Sequence, residues 1–213
     1  MFDNNKYLEI NDFLRKHNKS TKIVAISKNH PKDSVIDAIK FGVKIFGENR
    51  VNEAKRKFED IKIANPLVKL HLTGPLQSNK VKDAAKLFDV FHTLDREKIA
   101  IEFNKHLLYL KNKEIFIQVN TGKEETKSGI FPVDVSEFTN YCINDMQLNI
   151  IGLMCIPPVN DNPDDHFALL SDLAKRNNLH DLSIGMSSDY KKAIKFNPKY
   201  IRLGTILFGK RND

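Results

Sequence analysis

The sequence predicts an α/β fold, a single TIM-type (β/α)8 barrel with a leading N-terminal helix. Eight short apolar runs recur along the chain. Helical stretches separate them at intervals of roughly 20 to 30 residues, the alternation that an eightfold barrel requires. No linker, low-complexity segment or internal repeat interrupts the pattern, so residues 1–213 are expected to form one domain. An error of one in the count of runs would point instead to an open doubly wound sheet.

Residues 3 to 17 place Tyr7, Leu8, Ile10, Phe13 and Leu14 at helical spacing. Lys22 to Lys28 is the first run, β-branched and apolar, closed by Asn29-His30-Pro31, as a buried parallel strand reads. Pro31 suits a first helical turn, and Val35, Ile36 and Ile39 carry a helix to Gly42 as its C-cap. Val43 to Glu48 is the second run. A charged helix over 49–64 follows, with Val51, Ala54, Phe58 and Ile61 on one face. Leu70 to Gly74 is the third run, closed by Pro75, and a helix spans Asn79 to Leu87. Val90 to Leu94 is the fourth, after which Asp95 caps a helix through Tyr109. Ile115 to Asn120 is the fifth, followed by a charged loop over 123–130 and a helix from Val133 to Ile143. Ile150 to Cys155 is the sixth, stopped by Pro157-Pro158, and Asp164 opens a helix to Lys175. Leu182 to Met186 is the seventh, Ser187-Ser188-Asp189 starts a helix, and Tyr200 to Phe208 is the eighth.

At this length the chain buries about 70% of its unfolded surface and needs no disulfide or metal to fold. It is 41% hydrophobic and 29% charged, an ordinary globular balance. The net charge, 34 − 27 = +7, is spread along the chain with no basic tail or arginine block. A lysine-rich solvated surface explains it better than nucleic-acid binding. Cys142 and Cys155 form no Cys-x-x-Cys pair and lack histidines at metal-ligand spacing, which fits free thiols in a reducing compartment. No signal peptide and no membrane-spanning run is found, so a cytoplasmic protein is expected.

In a barrel, ligands sit at the carboxyl ends of the strands, often with a phosphate held after strands seven and eight. Gly185-Met186-Ser187-Ser188-Asp189 and Leu203-Gly204-Thr205 fall at those two places, with Arg202 inside an apolar run. Taken alone, Ser187 and Asp189 read as helix caps, Gly204 as a bulge, and Lys28 as a solvated lysine. Arg202 could snorkel outward or pair with Glu48. A buried arginine needs acceptors, however. A strand-end lysine opposite a phosphate site is the combination pyridoxal phosphate requires: an amine for its aldehyde and an anchor for its phosphate. Other candidates carry less. His71 reads as a satisfied core histidine, and His92 has Asp95 nearby but no nucleophile motif. Glu124, Glu125 and Lys127 read as solvated. There is no Gly-x-x-x-x-Gly-Lys and no Gly-x-Gly-x-x-Gly, and Asp161, Asp164 and Asp165 lack EF-hand spacing. No metal site is expected.

Several blocks together resemble a known family. They are Ala25-Ile26-Ser27-Lys28, Phe46-Gly47-Glu48-Asn49, His71-Leu72-Thr73-Gly74-Pro75-Leu76-Gln77-Ser78-Asn79-Lys80, Val119-Asn120, Lys127-Ser128-Gly129, Gly152-Leu153-Met154, Gly185-Met186-Ser187-Ser188-Asp189 and Ile201-Arg202-Leu203-Gly204-Thr205 with Phe208-Gly209. From Lys22 to Arg211 the chain is similar to the pyridoxal phosphate homeostasis proteins, which resemble the N-terminal barrel of alanine racemase. The resemblance implies that Lys28 carries pyridoxal 5'-phosphate (PLP) as an internal aldimine. It implies that Ser187, Gly204 and Thr205 hold the phosphate with help from the Ser188 backbone, that Arg202 faces the pyridine nitrogen, and that Asn49 lies near the ring. An arginine there disfavours ring protonation and makes the ring a poorer electron sink.

Three positions depart from the family pattern: His30 stands where a second lysine is frequent, Arg50 where a tyrosine is usual, and Leu70 where a tryptophan is usual. The function implied is a monomeric, cytoplasmic, non-catalytic protein that buffers PLP or delivers it to apo PLP-dependent enzymes, with no nucleic-acid or membrane partner. The alternative is a PLP-dependent amino-acid racemase. Such enzymes use a second β domain and a partner's tyrosine, and here only four residues follow Gly209. A sugar-phosphate enzyme on the same barrel would leave Lys28 without a role as imine former.

Overall fold

The computed structural model describes residues 2–17 and 20–209. Its centre is a closed barrel of eight parallel strands in sequential order. The strands are β1 (Lys22–Ile26), β2 (Ile45–Glu48), β3 (Lys69–Leu72), β4 (Val90–Leu94), β5 (Glu114–Gln118), β6 (Ile150–Met154), β7 (Asp181–Ser183) and β8 (Tyr200–Leu203). Closure comes from β8 returning to β1, in a register that sets Arg202 beside Val24 and Leu203 beside Ala25. Among the described residues the helices are α1 (Asn4–His17), α2 (Lys32–Lys40), α3 (Val51–Ala64), α4 (Val81–Leu87), α5 (Glu97–Asn104), α6 (Leu107–Leu110), α7 (Val135–Asn140), α8 (Pro163–Arg176), α9 (Tyr190–Ala193) and α10 (Thr205–Phe208).

Each strand is buried on both faces, so the apolar runs of the sequence are nearly continuous rather than alternating. The outer faces carry most of the core: Phe46, Phe58, Phe91 and Phe103 pack between strands and helices. The barrel interior is smaller and more polar. Val24, Val90, Phe116, Met154 and Tyr200 pack there, and His71, His92, Ser183 and Arg202 are buried with them. The leading helix is covered through Phe2, whose ring lies 5.3 Å from Phe208, and through the hydrogen bond from the Asp3 amide to the Leu207 carbonyl.

The strands end earlier than their apolar runs. β1 stops at Ile26, β7 at Ser183 and β8 at Leu203, because the chain turns at the rim once its ladder partners run out. The apolar run from Tyr200 to Phe208 is therefore a strand followed by the short α10, broken at Gly204 with ψ −85°. Asp95 does not cap a long helix. Its carboxylate pairs with Arg96, which is itself the N-terminal flank of α5, and the helical region divides before α6. Asp164 is likewise not the start of α8: Asn162 accepts the Asp164 amide and Pro163 occupies the first turn. The helix expected to Ile143 ends at Asn140 and continues as a π turn from Tyr141 to Asp145. Gly42, with φ +100°, follows the cap residue Phe41 of α2.

Candidate functional site

Side chains alternate across a strand, so Val24 and Ile26 point into the barrel and the alternation carries Lys28 inward just beyond the strand end. The turn bearing Lys28 is tied on both sides. The Ser27 amide continues the β2 ladder to the Gly47 carbonyl (3.0 Å), and the Ser27 hydroxyl donates to Glu48 Oε1 (2.7 Å). Lys57 on α3 donates to the Ser27 carbonyl and to Glu48 Oε1, each at 2.8 Å, and to Glu53 Oε1 at 3.0 Å. On the other side the Asn29 amide donates to Glu53 Oε1 (2.7 Å), with Asn29 in the left-handed region at φ +61°. Burial pushes the Glu48 carboxyl up, and Lys57 and Ser27 act against that shift. Glu48 Oε2 is buried without a hydrogen-bond partner among the described residues.

Across the mouth, Arg202 is 5% exposed and points inward from β8. It donates to the Ser183 carbonyl (2.6 Å), the Ser183 hydroxyl (2.7 Å) and the Cys155 carbonyl (2.9 Å). None of these acceptors is a carboxylate; Asp189 acts on the guanidinium through its charge without a hydrogen bond, so Arg202 brings a positive charge to the site with no paired anion in contact. Burial pulls it down to about 10, which still leaves it charged at neutral pH. It neither snorkels nor pairs with Glu48, whose side chain faces α3 on the outside of the barrel.

The loop after β7 is shaped by Gly185. At φ +92°, an added Cβ would lie 2.8 Å from the Ala193 side chain, so glycine is required by the packing of α9. Asp189 flanks α9 but makes no side-chain cap bond there; it folds back to accept the Met186 amide at 2.6 Å. Ser187 is no cap either. Its hydroxyl accepts a long hydrogen bond from the Ile206 amide (3.4 Å), joining this loop to α10. At Gly204 an added Cβ would meet only Ile26, at 3.5 Å. Asn49 is set by Thr73, whose hydroxyl donates to Asn49 Oδ1 (3.0 Å), and by Gly74, which has no side chain to displace the Asn49 backbone.

All seven residues singled out in the sequence, Lys28, Asn49, Ser187, Ser188, Arg202, Gly204 and Thr205, line one cavity of about 310 Å³. Ile26, Thr73, Ile156 and Met186 complete its wall. It holds two cationic side chains, four hydroxyl-bearing residues (Thr73, Ser187, Ser188 and Thr205) and no carboxylate, a lining that favours a small anion with an apolar body. A wider cavity of about 640 Å³ shares Asn49, Thr73 and Ile156 with it and includes Glu124 and Lys127, which the sequence reading left in solvent. Thr73 and Met186 stand in the sequence blocks without being assigned to the site, and Ile156 is not singled out at all, because apolar or hydroxyl residues at a strand end carry no signal of their own. Among the described residues no cluster of His, Cys, Asp and Glu could hold a metal ion, and no helix is long and apolar enough to cross a membrane.

The two interior histidines belong together. His71 Nδ1 lies 2.9 Å from His92 Nε2, so His71 is a satisfied core histidine as expected. His92 has no bond to Asp95; its Nδ1 meets the Ser183 hydroxyl at 2.7 Å. Burial lowers both, His71 to about 3. Cys142 and Cys155 are free, buried thiols, each pushed up to about 12 by burial. His30 stacks against Phe208 with ring centroids 5.2 Å apart.

Residues 9–212 match the family described as alanine racemase, N-terminal domain. The pyridoxal phosphate homeostasis protein of Aquifex aeolicus is 36% identical over 202 residues, covering 89% of this chain and 87% of that protein. The Haemophilus influenzae protein of the same name is 34% identical over 208 residues, covering 92% and 88%. Among solved structures, PipY of Synechococcus elongatus with PLP bound superposes with a TM-score of 0.83 at 30% identity, covering 96% of this chain and all of that one. Alanine racemase from Acinetobacter baumannii gives a TM-score of 0.73 at 15% identity over 61% of its length, a likeness of fold alone.

Proposed function

The chain belongs to the alanine racemase N-terminal domain family and, within it, to the pyridoxal phosphate homeostasis proteins; from that premise we propose that it binds PLP in the cavity at the barrel mouth and serves the intracellular supply of that cofactor. The observation that carries the reading is the lining of one small cavity by Lys28, Arg202 and the hydroxyls of Ser187 and Thr205, with no carboxylate. These residues fit the group. When bound, PLP supplies an aldehyde that condenses with a lysine amine with loss of water, and Lys28 is the lysine that lines the cavity. Ser187, Thr205 and Gly204, with the Ser188 backbone, would hold the phosphate between the β7 and β8 loops. Arg202 would face the pyridine nitrogen. Its positive charge there would disfavour protonation of that nitrogen and so weaken the ring as an electron sink. Asn49 would bound the ring on the β2 side.

We assign the protein a non-catalytic role: buffering PLP or delivering it to apo enzymes, as a single cytoplasmic domain acting as a monomer. Two-base racemisation needs an acid–base group on the ring face opposite the lysine. Apart from Lys28, the described residues lining this cavity include no tyrosine, cysteine, histidine or carboxylate that could serve. Titrating the apo protein with PLP, and assaying the saturated protein for alanine racemisation, tests both statements. A saturable absorbance change without racemisation is expected. Absence of saturable binding contradicts the first statement, and sustained racemisation contradicts the second.

A further inference from the structure

Behind Arg202 a chain of buried polar groups runs down the barrel axis. Arg202 reaches the Ser183 hydroxyl (2.7 Å), Ser183 reaches His92 Nδ1 (2.7 Å), and His92 Nε2 reaches His71 Nδ1 (2.9 Å). Ser183, His92 and His71 are 0%, 0% and 1% exposed. None of the three lines the cofactor cavity; His71 instead borders a separate cavity of about 540 Å³ at the opposite end of the barrel. Four polar groups in a barrel interior are costly unless each is satisfied.

The direction of the chain follows from donor arithmetic. A guanidinium only donates, so the Ser183 oxygen must accept from Arg202. Arg202 and His92 are the only partners of that hydroxyl among the described residues, so its proton goes to His92 Nδ1. A neutral imidazole with Nδ1 accepting carries its proton on Nε2, and that proton is donated to His71 Nδ1. His71 then carries its own proton on Nε2. The reverse order would give the Ser183 oxygen two donors and leave its own proton without an acceptor. The rings are also fixed in plane: His92 stacks on Phe116 at 5.0 Å and 9°, and His71 meets Tyr200 edge-on at 4.9 Å.

We propose that Ser183, His92 and His71 are positioning residues for the cofactor site, a one-way hydrogen-bond chain that aims the Arg202 guanidinium from the far end of the barrel. The proposal rests on the cofactor reading above. It makes His71, which touches neither the cavity nor Arg202, a determinant of how the ring nitrogen is met. Outer-shell partners of this kind set the orientation of a contacting group and so its contribution to binding.

The test has two arms. In the first, nitrogen-15 NMR of the histidine rings of the apo wild-type protein at neutral pH reads the tautomers without cofactor. Both rings neutral and protonated on Nε2 is expected; an Nδ1-protonated or charged ring at either position overturns the proposal. In the second, PLP affinity and the absorption maximum of the bound cofactor are compared among wild type, His71→Asn and His71→Phe. Asparagine keeps an acceptor near the Nδ1 position and phenylalanine removes it. Binding about tenfold weaker with a shifted band for His71→Phe, and near-wild-type values for His71→Asn, are expected. Equal behaviour of the two variants, whether both intact or both impaired, overturns the proposal. Should His71→Phe fail to fold, Ser183→Ala, which deletes one hydroxyl, replaces it with the same expected loss, and wild-type affinity there is likewise contrary. A wild-type protein that takes up no PLP defeats the functional reading itself. A wild type that binds, with histidines in other tautomers, defeats only this proposal.

Discussion

Lys57 reaches from α3 to within 2.8 Å of the main-chain carbonyl of Ser27, the residue immediately before Lys28. The same ammonium meets Glu48 and Glu53, and Glu53 in turn accepts the amide of Asn29, the residue immediately after Lys28. The proposed anchor lysine is thus the centre of a turn whose two shoulders are fixed by one buried cation and two carboxylates. A lysine meant to hold a ligand covalently benefits from such a scaffold, because the chain bearing it is ordered before the ligand arrives.

Lys57→Met should leave Glu48 buried without its counter-ion. A loss of about 3–5 kcal/mol in urea unfolding is expected, together with slower PLP uptake at Lys28. Adding Glu48→Gln in the same chain should restore part of the stability, since it removes the unpaired charge. A single variant as stable as the wild type would contradict the clamp.

Arg202 serves three acceptors, two on Ser183 of β7 and one on Cys155 just past β6, a task lysine cannot copy with a single ammonium. Arg202→Lys and Arg202→Ala should both weaken PLP binding and move the absorption band of the bound cofactor. An unchanged spectrum and affinity in Arg202→Lys would show that charge alone matters and contradict the directional role.

Acid should destabilise the fold through the barrel histidines. His71 is held neutral to about pH 3 when folded, whereas in the unfolded chain it protonates near pH 6.5. The unfolded state therefore binds more protons below about pH 6.5, and stability falls as pH drops from there toward about 3. The slope approaches about 1.4 kcal/mol per pH unit for this residue. Urea unfolding at pH 7.5 and pH 5 should show the decline, and His71→Asn should reduce it. An equal decline in that variant would assign the acid sensitivity elsewhere.

Neither cysteine should react in the native protein. Both thiols are buried and pushed up to about 12, so almost no thiolate exists at pH 8. A thiol reagent should label both only after denaturation, and rapid labelling of the native protein would contradict their placement.

The eight strands were legible because parallel strands covered on both faces leave continuous apolar runs in the sequence. Their ends were not. From Tyr200 to Phe208 the composition barely changes, yet the backbone leaves the sheet at Gly204, a turn that depends on where neighbouring strands stop. That the candidate residues Lys28, Asn49, Ser187, Ser188, Arg202, Gly204 and Thr205 would meet at one cavity was legible through their position at strand ends and through family resemblance. What supports them was hidden. His71 and His92 stand 21 residues apart, and Lys57 and Glu48 nine, and neither pairing follows from spacing along a strand or a helix. Such contacts are set by barrel register and by the helix that crosses the strand, which only the assembled fold supplies.

The central claim is that Lys28 holds the cofactor. Saturating the protein with PLP, reducing with borohydride and mapping the modified peptide measures this directly. One stable adduct, on Lys28, and loss of the absorbance band in Lys28→Ala are expected; an adduct on another lysine, or a band that survives that substitution, would contradict the assignment.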